Sequence, residues 1–124
     1  MLLGKQKFDR GRRLTTAQDF SHVFDAPVRS SDKFFTFLAK LNNQDKPRLG
    51  LAISKKNTRR AVDRNKLKRL ARESFRLYQS NLNNIDVVVM AKRDAAIQPN
   101  EVLLQCLNKH WDKLRHKFSN MNDA

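Results

Sequence analysis

One uninterrupted stretch constrains the fold of this chain more than any other. It runs from Lys55 to Arg76, reads KKNTRRAVDRNKLKRLARESFR, and holds ten basic residues against two acidic ones, with no proline or glycine. The lack of a helix breaker predicts a long helix from about Ala61 to Leu82. At about 100° per residue, its apolar side chains fall on one arc, formed by Leu67, Leu70, Ala71, Phe75, Tyr78 and Leu82. We expect this arc to pack against the rest of the domain and the opposite side to stay exposed.

The exposed side of this predicted helix carries charges of a single sign. Arg64, Lys68 and Arg72 form an i, i+4, i+8 row, with Asn65, Arg69 and Arg76 beside it. A helix face that is merely solvated usually mixes signs in i, i+4 pairs, whereas these cations repel one another. Phosphates lying across the row would relieve the repulsion, and arginine binds phosphate in bidentate fashion. The row therefore predicts contact with a nucleic-acid backbone.

Composition points in the same direction. The chain has 124 residues, which favours a single domain, and its net charge of +14 favours a polyanionic partner, nucleic acid ahead of an anionic membrane. The sequence has no apolar run of spanning length and no signal-peptide pattern. One cysteine, Cys106, excludes an internal disulfide and indicates a reducing cytoplasm. We therefore expect a cytoplasmic protein that does not bind membranes.

The first half of the chain predicts a short helix followed by strands. Residues 1–12 are basic without apolar periodicity and are expected to form a flexible arm. Thr15 or Thr16 can cap a helix whose apolar face holds Phe20, Val23 and Phe24, and Pro27 ends it. A short extra strand near 28–31 is compatible with the sequence, and 33–41 is a strand with Phe35 and Phe37 on one face and Phe34 on the other.

The second half of the chain completes one sheet. The turn composition of 42–47 predicts that 33–41 and 49–54 pair as an antiparallel hairpin, with Gly50, Ala52 and Ser54 on a small face that another group can approach. The Val-rich run 86–91 predicts a buried central strand, for which an earlier parallel partner is an option. A final helix runs from Pro99 to about Lys117.

The fold class expected from this order is an α/β sandwich, with one small mixed sheet packed by helices in the order α-β-β-α-β-α. The single domain would span 13–118, and 119–124 would form a frayed tail. The many phenylalanines on a sheet favour single-stranded RNA over duplex DNA, because unpaired bases stack on aromatic rings.

No protein catalytic site is predicted. The acidic residues are dispersed, and Asp63 and Glu73 lie on different helix faces, so a metal nuclease lacks its converging carboxylates. Cys106 and His110 could share a metal, but no second ligand pair is evident, and core packing of both side chains is the favoured alternative. We expect neither a catalytic residue nor a metal site in the protein.

Three segments together resemble a known family. RLTTAQDFSHVF, RLGLAISKKNTRRAVDRNKLKRLARESFR and DVVVMAKR are similar, in order and spacing, to the protein subunit of bacterial ribonuclease P, and the similarity extends from Arg13 to about Lys117. The resemblance implies an α/β sandwich with a left-handed crossover around the basic helix. It also implies a catalytic RNA partner that uses Mg²⁺ to release the 5′ leader of precursor tRNA. We expect no obligate protein partner. A structural protein of the ribosome is the alternative, and a DNA-binding regulator ranks last.

The resemblance also assigns roles to residues. The family's Arg-Asn-Arg signature falls on Arg64, Asn65 and Lys66, and the third position keeps its charge but loses bidentate geometry. The basic positions that follow the signature are Lys68, Arg69 and Arg72. The implied leader-binding cleft comprises Phe20, Phe24, Phe37, Ser54, Lys55 and Lys56. The basic residues that we add as further RNA contacts are Arg13, Arg59, Arg60, Arg76, Lys92 and Arg93.

Overall fold

The computed structural model describes residues 12–82 and 84–122. The elements in chain order are α1 (Ala17–Phe24), β1 (Val28–Ser31), β2 (Phe35–Leu41), β3 (Arg48–Ala52), α2 (Ala61–Tyr78), β4 (Ile85–Ala91) and α3 (Asn100–Asn122). Short 3₁₀ turns, Gln79–Asn81 and Arg93–Ala95, follow α2 and β4. This order confirms the predicted α/β sandwich and the extra strand at 28–31. The predicted arm, residues 1–12, lies outside the described residues except for Arg12.

The four strands form one mixed sheet in the order β1-β2-β4-β3. β4 pairs antiparallel with β2, so that Phe37 lies opposite Val89, and parallel with β3, so that Gly50 lies opposite Val88. The predicted central strand with a parallel partner is therefore confirmed. β3 reaches β4 through α2, and this is the connection for which the resemblance implies a left hand.

The predicted hairpin between 33–41 and 49–54 is wrong, because β4 lies between the two strands. The central strand of a mixed sheet is covered on both faces, and β4 is the strand with the longest run of apolar side chains. Turn-forming residues at 42–47 allow the chain to reverse direction, but they do not select the strand with which it then pairs.

Helices cover both faces of the sheet. α2 and α3 cover one face, where the main core includes Phe35, Phe37, Leu67 and Trp111. α1 covers the other face, where Val23 and Leu14 pack on Leu38 and Val88. The predicted alternation is confirmed within β2, since Phe35 and Phe37 lie in one core and Leu38 lies in the other. The predicted placement of Phe34 on the opposite face is wrong: Phe34 precedes β2, where strand alternation does not apply, and it packs against the same core as Phe35 and Phe37.

The ends of the helices follow local chemistry. Thr16 caps α1 in a capping box: its Oγ1 accepts the Asp19 N–H at 3.0 Å, and its own N–H donates to Asp19 Oδ2 at 3.3 Å. α1 ends at Phe24, before the predicted breaker Pro27. α3 continues past the predicted end at Lys117 as far as Asn122, so that part of the predicted tail is helical. None of the described helices is long and apolar enough to cross a membrane.

A fully buried carboxylate holds β4 to its neighbours. Asp86 accepts hydrogen bonds from Arg48 Nε and Nη2 at 2.8 and 2.7 Å and from Asn42 Nδ2 at 2.7 Å. A buried charge of this kind is tolerated because it is paired and hydrogen-bonded. Arg48 Nη2 also lies 3.9 Å from Asp19 Oδ1, which connects the sheet to the first turn of α1. This network positions α1 over the sheet.

Candidate nucleic-acid interface

The loop before α2 is held by its own polar groups. Ser54 accepts the N–H of Thr58 on its carbonyl oxygen at 2.9 Å and the N–H of Asn57 on Oγ at 3.1 Å. The Asn57 side chain donates to the Ala91 carbonyl at 3.3 Å, which ties the loop to the end of β4. Ser54, Lys55 and Lys56 are all exposed on this loop. The backbone is therefore fixed while the two lysine side chains extend into solvent.

Arg64 supports the same loop from inside α2. Its Nη1 donates to the carbonyl oxygens of Thr58 and Arg59 at 3.0 and 2.7 Å. A guanidinium has five N–H groups, so those on the other nitrogens remain for another acceptor. Half-buried Arg64 thus fixes the entry to α2 and keeps donors for a phosphate.

The exposed face of α2 is basic and largely unpaired. Asn65, Arg69 and Arg72 are exposed and Lys68 is half-buried. Within the described part of the chain, no carboxylate lies within ion-pair distance of Lys68, Arg69 or Arg72. These three cations are therefore available to a polyanion.

The flanking arginines differ from this unpaired group. Arg76 donates from Nη2 to Glu73 Oε1 at 2.5 Å, and this hydrogen bond raises the pKa of Arg76 and lowers that of Glu73. Arg60 Nε lies 3.9 Å from Asp63 Oδ2 at the other end of the row. Both predicted RNA contacts thus have an acidic neighbour within the helix.

Lys66, at the third signature position, points away from the basic face. Its Nζ donates to the carbonyl oxygens of Ala96 and Gln98 at 3.2 and 3.1 Å. These carbonyls belong to the segment that leads into α3. The side chain therefore ties α2 to that segment, a role that the sequence did not suggest.

Two further predicted contacts lie at the same end of the sheet. Lys92 Nζ donates to the Asp32 carbonyl at 2.5 Å and so ties the end of β4 to the β1–β2 turn. Arg93 is exposed and lines a small cavity of about 230 Å³ with Lys56, Asn57 and Arg59. No acidic residue lines this cavity, so its electrostatics favour a phosphate.

A larger cavity of about 510 Å³ lies between α1, the edge of β3 and α2. It exists because the Leu14 N–H donates to the Leu49 carbonyl at 2.9 Å, which places residues 13 and 14 alongside β3. The side chains that line it come from these three elements and from the segment before α1: Arg13, Leu14, Thr15, Phe20, Leu49, Leu51, Lys68 and Arg72. The aromatic residue of α1 and the cations of α2 therefore share one cavity. The sequence did not reveal this, since nothing in it indicates that Leu49 and Leu51 lie at a sheet edge.

Phe20 packs against the backbone of Gly50. A Cβ at Gly50 would lie 2.9 Å from the Phe20 ring and 3.0 Å from Leu14 Cβ. The prediction that another group can approach the small face at Gly50 is confirmed, and the group is the Phe20 ring, which fills the space beside this backbone. Phe24 lies beside it, with ring centroids 6.4 Å apart and 47% of its surface exposed. Phe24 is the more accessible of the two aromatics.

The prediction that Phe37 belongs to this cleft is wrong. Its side chain is fully buried on the opposite face of the sheet, with ring centroids 4.5 Å from His110 and 4.7 Å from Trp111. Successive side chains of a strand alternate between faces, so Phe37 shares the face that α2 and α3 cover. The β2 side chain that packs on the α1 side is Leu38.

His110 lies in the core beside Trp111, as we expected when we favoured core packing of this side chain over metal binding. Its Nδ1 is 2.7 Å from Ser30 Oγ, and its Nε2 is 2.8 Å from Asp32 Oδ2, although that N–H is not aligned with the carboxylate. Burial lowers the pKa of His110, and the negative charge of Asp32 partly opposes this. Within residues 12–82 and 84–122, no three potential ligands come together in a way that could hold a metal.

Comparison with known proteins decides the family. The model of the family described as Ribonuclease P matches residues 8–115. The chain belongs to the ribonuclease P protein family. The ribonuclease P protein component of Methylococcus capsulatus is 52% identical over 112 residues, covering 90% of this chain and 88% of that protein. That of Pseudoalteromonas translucida is 47% identical over 110 residues, covering 89% and 79%.

Solved ribonuclease P proteins share the fold. The Staphylococcus aureus protein superimposes with a TM-score of 0.75 at 29% identity, covering 82% of this chain and 93% of that one. The Thermotoga maritima protein gives a TM-score of 0.70 at 28% identity, covering 84% and 96%. The chain therefore acts as the protein component of a ribonucleoprotein endoribonuclease that processes tRNA, and it has an RNA subunit as partner. The alternative of a structural ribosomal protein is not favoured.

Proposed function

We propose that the chain binds the RNA subunit through the exposed basic face of α2 and holds the 5′ leader of precursor tRNA in the cavity between α1, β3 and α2. The observation that carries this proposal is that Phe20, Lys68 and Arg72 line one cavity of about 510 Å³. A groove that combines an aromatic ring with cations suits single-stranded RNA, because bases stack while phosphates bind the charges. Arg69 and Asn65 are exposed outside this cavity and remain available to the RNA subunit.

The hydrolysis itself belongs, in this proposal, to the RNA subunit and its Mg²⁺. Two of the described acidic residues have structural partners: Asp86 accepts hydrogen bonds from Arg48, and Asp19 completes the capping box of α1 with Thr16. The protein then contributes binding and orientation of the substrate, which lower the barrier without a protein nucleophile. The cytoplasmic location stays a prediction from the sequence.

The direct test is cleavage of precursor tRNA by the matched RNA subunit at low Mg²⁺, with and without the purified chain. Stimulation is expected, because neutralising phosphates with protein cations reduces the need for metal ions. Absence of stimulation with the matched RNA would contradict the proposal.

A second test separates the leader cavity from general RNA binding. Phe24 does not line the cavity, but its exposed ring lies 6.4 Å from that of Phe20, which does, and so extends the aromatic surface available to the leader. Phe24→Ala should therefore weaken binding of precursor tRNA by about ten-fold, a typical effect of losing one base-stacking ring, and should leave mature tRNA binding unchanged. Leu77→Ala is the matched control, since Leu77 is an apolar side chain of similar exposure, 56% against 47%. Equal effects on precursor and mature tRNA would exclude a leader-specific cavity.

A further inference from the structure

A second candidate site lies between the β1–β2 turn and α3. It is a cavity of about 300 Å³ whose lining includes Asp32, Phe34, Cys106, Lys109 and Lys113. The Lys92 N–H donates to the Phe34 carbonyl at 2.8 Å, which places the cavity at the end of β4 where the loop before α2 also lies. The basic end of the sheet thus extends from the loop before α2 to this cavity.

The floor of the cavity is fixed by hydrogen bonds. Asp32 Oδ1 accepts the N–H groups of Phe34 and Phe35, each at 2.8 Å, and the Asp32 carbonyl accepts Lys92 Nζ. His110 Nε2 lies 2.8 Å from Asp32 Oδ2, and His110 Nδ1 lies 2.7 Å from Ser30 Oγ. The half-buried Phe34 ring and the Asp32 carboxylate are therefore positioned before any ligand arrives, which lowers the entropy cost of binding.

The rim of the cavity carries free positive charge. Lys33, Lys109 and Lys113 are exposed, and no carboxylate of the described residues lies within ion-pair distance of their ammonium groups. Three cations around one aromatic ring are suited to a ligand with a flat base and adjoining phosphates. Small-molecule sites occupy about 300–1,000 Å³, so this cavity accepts a base but not a duplex.

We propose that this cavity binds one unpaired nucleotide of RNA, with its base against Phe34 and its flanking phosphates on Lys109 and Lys113. The Asp32 carboxylate is in place to accept an N–H from the edge of the base. The proposal rests on the RNA-binding function given above and adds a second contact, in a cavity that shares no lining residue with the leader cavity. Either the catalytic RNA or the leader could supply the nucleotide, and the test distinguishes the two.

Cys106 provides a built-in reporter, because it is the only cysteine of the chain and it lines the cavity. Burial raises the pKa of its thiol, so its reaction with neutral N-ethylmaleimide is followed at mildly alkaline pH. The full chain is saturated either with the RNA subunit or with a leader oligonucleotide, and saturation is checked by fluorescence anisotropy. With the RNA that supplies the nucleotide, we expect modification of Cys106 to slow by about ten-fold or more, because a stacked base blocks access to the thiol.

The outcomes separate this proposal from the proposed function. If either RNA binds but Cys106 reacts as fast with each RNA as in the RNA-free protein, the cavity proposal is overturned while the proposed function stands. If neither RNA binds, the proposed function fails and this proposal fails with it. Slowing with one of the two RNAs supports the proposal and identifies the source of the nucleotide.

Substitutions give an independent readout. Phe34→Leu keeps an apolar side chain but removes the ring, and should weaken binding of the protecting RNA by about ten-fold. Lys109→Ala, which removes an exposed ammonium group, should lower the slope of log affinity against log salt by about one. The matched control is Lys46→Ala, which removes the same charge in the β2–β3 loop. Equal slopes for Lys109→Ala and Lys46→Ala would overturn the proposal.

Discussion

At the scale of single residues, the interface depends on which basic side chains donate hydrogen bonds within the protein and which remain available to RNA. Lys66 and Arg69 lie on neighbouring turns of α2, yet Lys66 donates to two carbonyl oxygens while Arg69 is exposed without a described carboxylate partner. The resemblance assigned both to RNA. The structure gives them different roles, and these roles predict different responses to substitution.

Substituting each of the two by methionine separates the roles. Lys66→Met should lower the free energy of unfolding by about 1 kcal/mol, because hydrogen bonds to two carbonyls are lost, and should leave the salt dependence of RNA binding unchanged. Arg69→Met should do the reverse and flatten the slope of log affinity against log salt by about one unit. Urea denaturation and salt titrations measure the two quantities. A flattened slope for Lys66→Met would show that Lys66 contacts phosphate after all.

Gly50 controls the position of Phe20. In Gly50→Ala the new methyl group would lie 2.9 Å from the Phe20 ring, so we expect a loss of about 1–3 kcal/mol in unfolding free energy from overpacking. Displacement of the ring should also weaken binding of precursor tRNA. The double variant Gly50→Ala/Phe20→Leu relieves the contact, and its stability loss should be smaller than the sum of the two single losses. Additive losses would show that the ring does not restrict position 50.

At the scale of elements, the sequence predicts those features that depend on the side-chain pattern of a single helix or strand. The apolar and basic sides of α2, the alternation along β2 and the central place of the Val-rich β4 all follow from side-chain order. The sequence does not predict which strands pair with one another or which face of the sheet a helix covers. The 42–47 turn does not reveal that β4 lies between β2 and β3, and the alternation that places Phe37 on one face does not reveal which face α1 covers.

The packing of α3 on β1 and β2 predicts a pH dependence of stability. Burial, with the nearby Lys113 and Lys92, lowers the pKa of His110 below its usual value of 6.5, and Asp32 opposes this only in part. Below pH 6.5 the unfolded chain therefore binds a proton that the folded chain does not, so stability falls as pH decreases toward the folded pKa. The loss cannot exceed about 1.4 kcal/mol per pH unit for one proton.

Denaturation between pH 7 and pH 5 measures this slope. His110→Gln should reduce it, whereas His116→Gln, at an exposed position of the same helix, should not. Asp32 acts in a separate, more acidic window: burial would raise its pKa, but the N–H groups of Phe35 and Phe34 and then His110 outweigh this and lower it below 3.8. If both histidine variants keep the slope of the parent chain, His110 is not its source.

At the scale of the whole molecule, one property acts on both stability and binding. The net charge of +14 produces self-repulsion in the free protein. The ion pairs of Arg76, Arg60 and Arg115 lie on partly or largely exposed side chains, and exposed pairs contribute little. The same unpaired cations attract the phosphates of RNA. Salt screens both interactions over about 10 Å at 0.1 M, so it should change stability and affinity in opposite directions.

We therefore predict that raising NaCl from low to moderate concentration increases the Tm of the free chain while it lowers the affinity for the RNA subunit. Thermal scans and binding titrations over the same salt series measure the two responses.

Arg69→Gln/Arg72→Gln provides the internal comparison: removing two unpaired charges should reduce both responses together, because both arise from the same cations. The buried pair of Arg48 and Asp86 is largely shielded from salt and should not reverse the sign. A Tm that falls with added NaCl would mean that ion pairs within the protein outweigh its self-repulsion. In that case the basic face of α2 would not be under electrostatic strain before RNA binds.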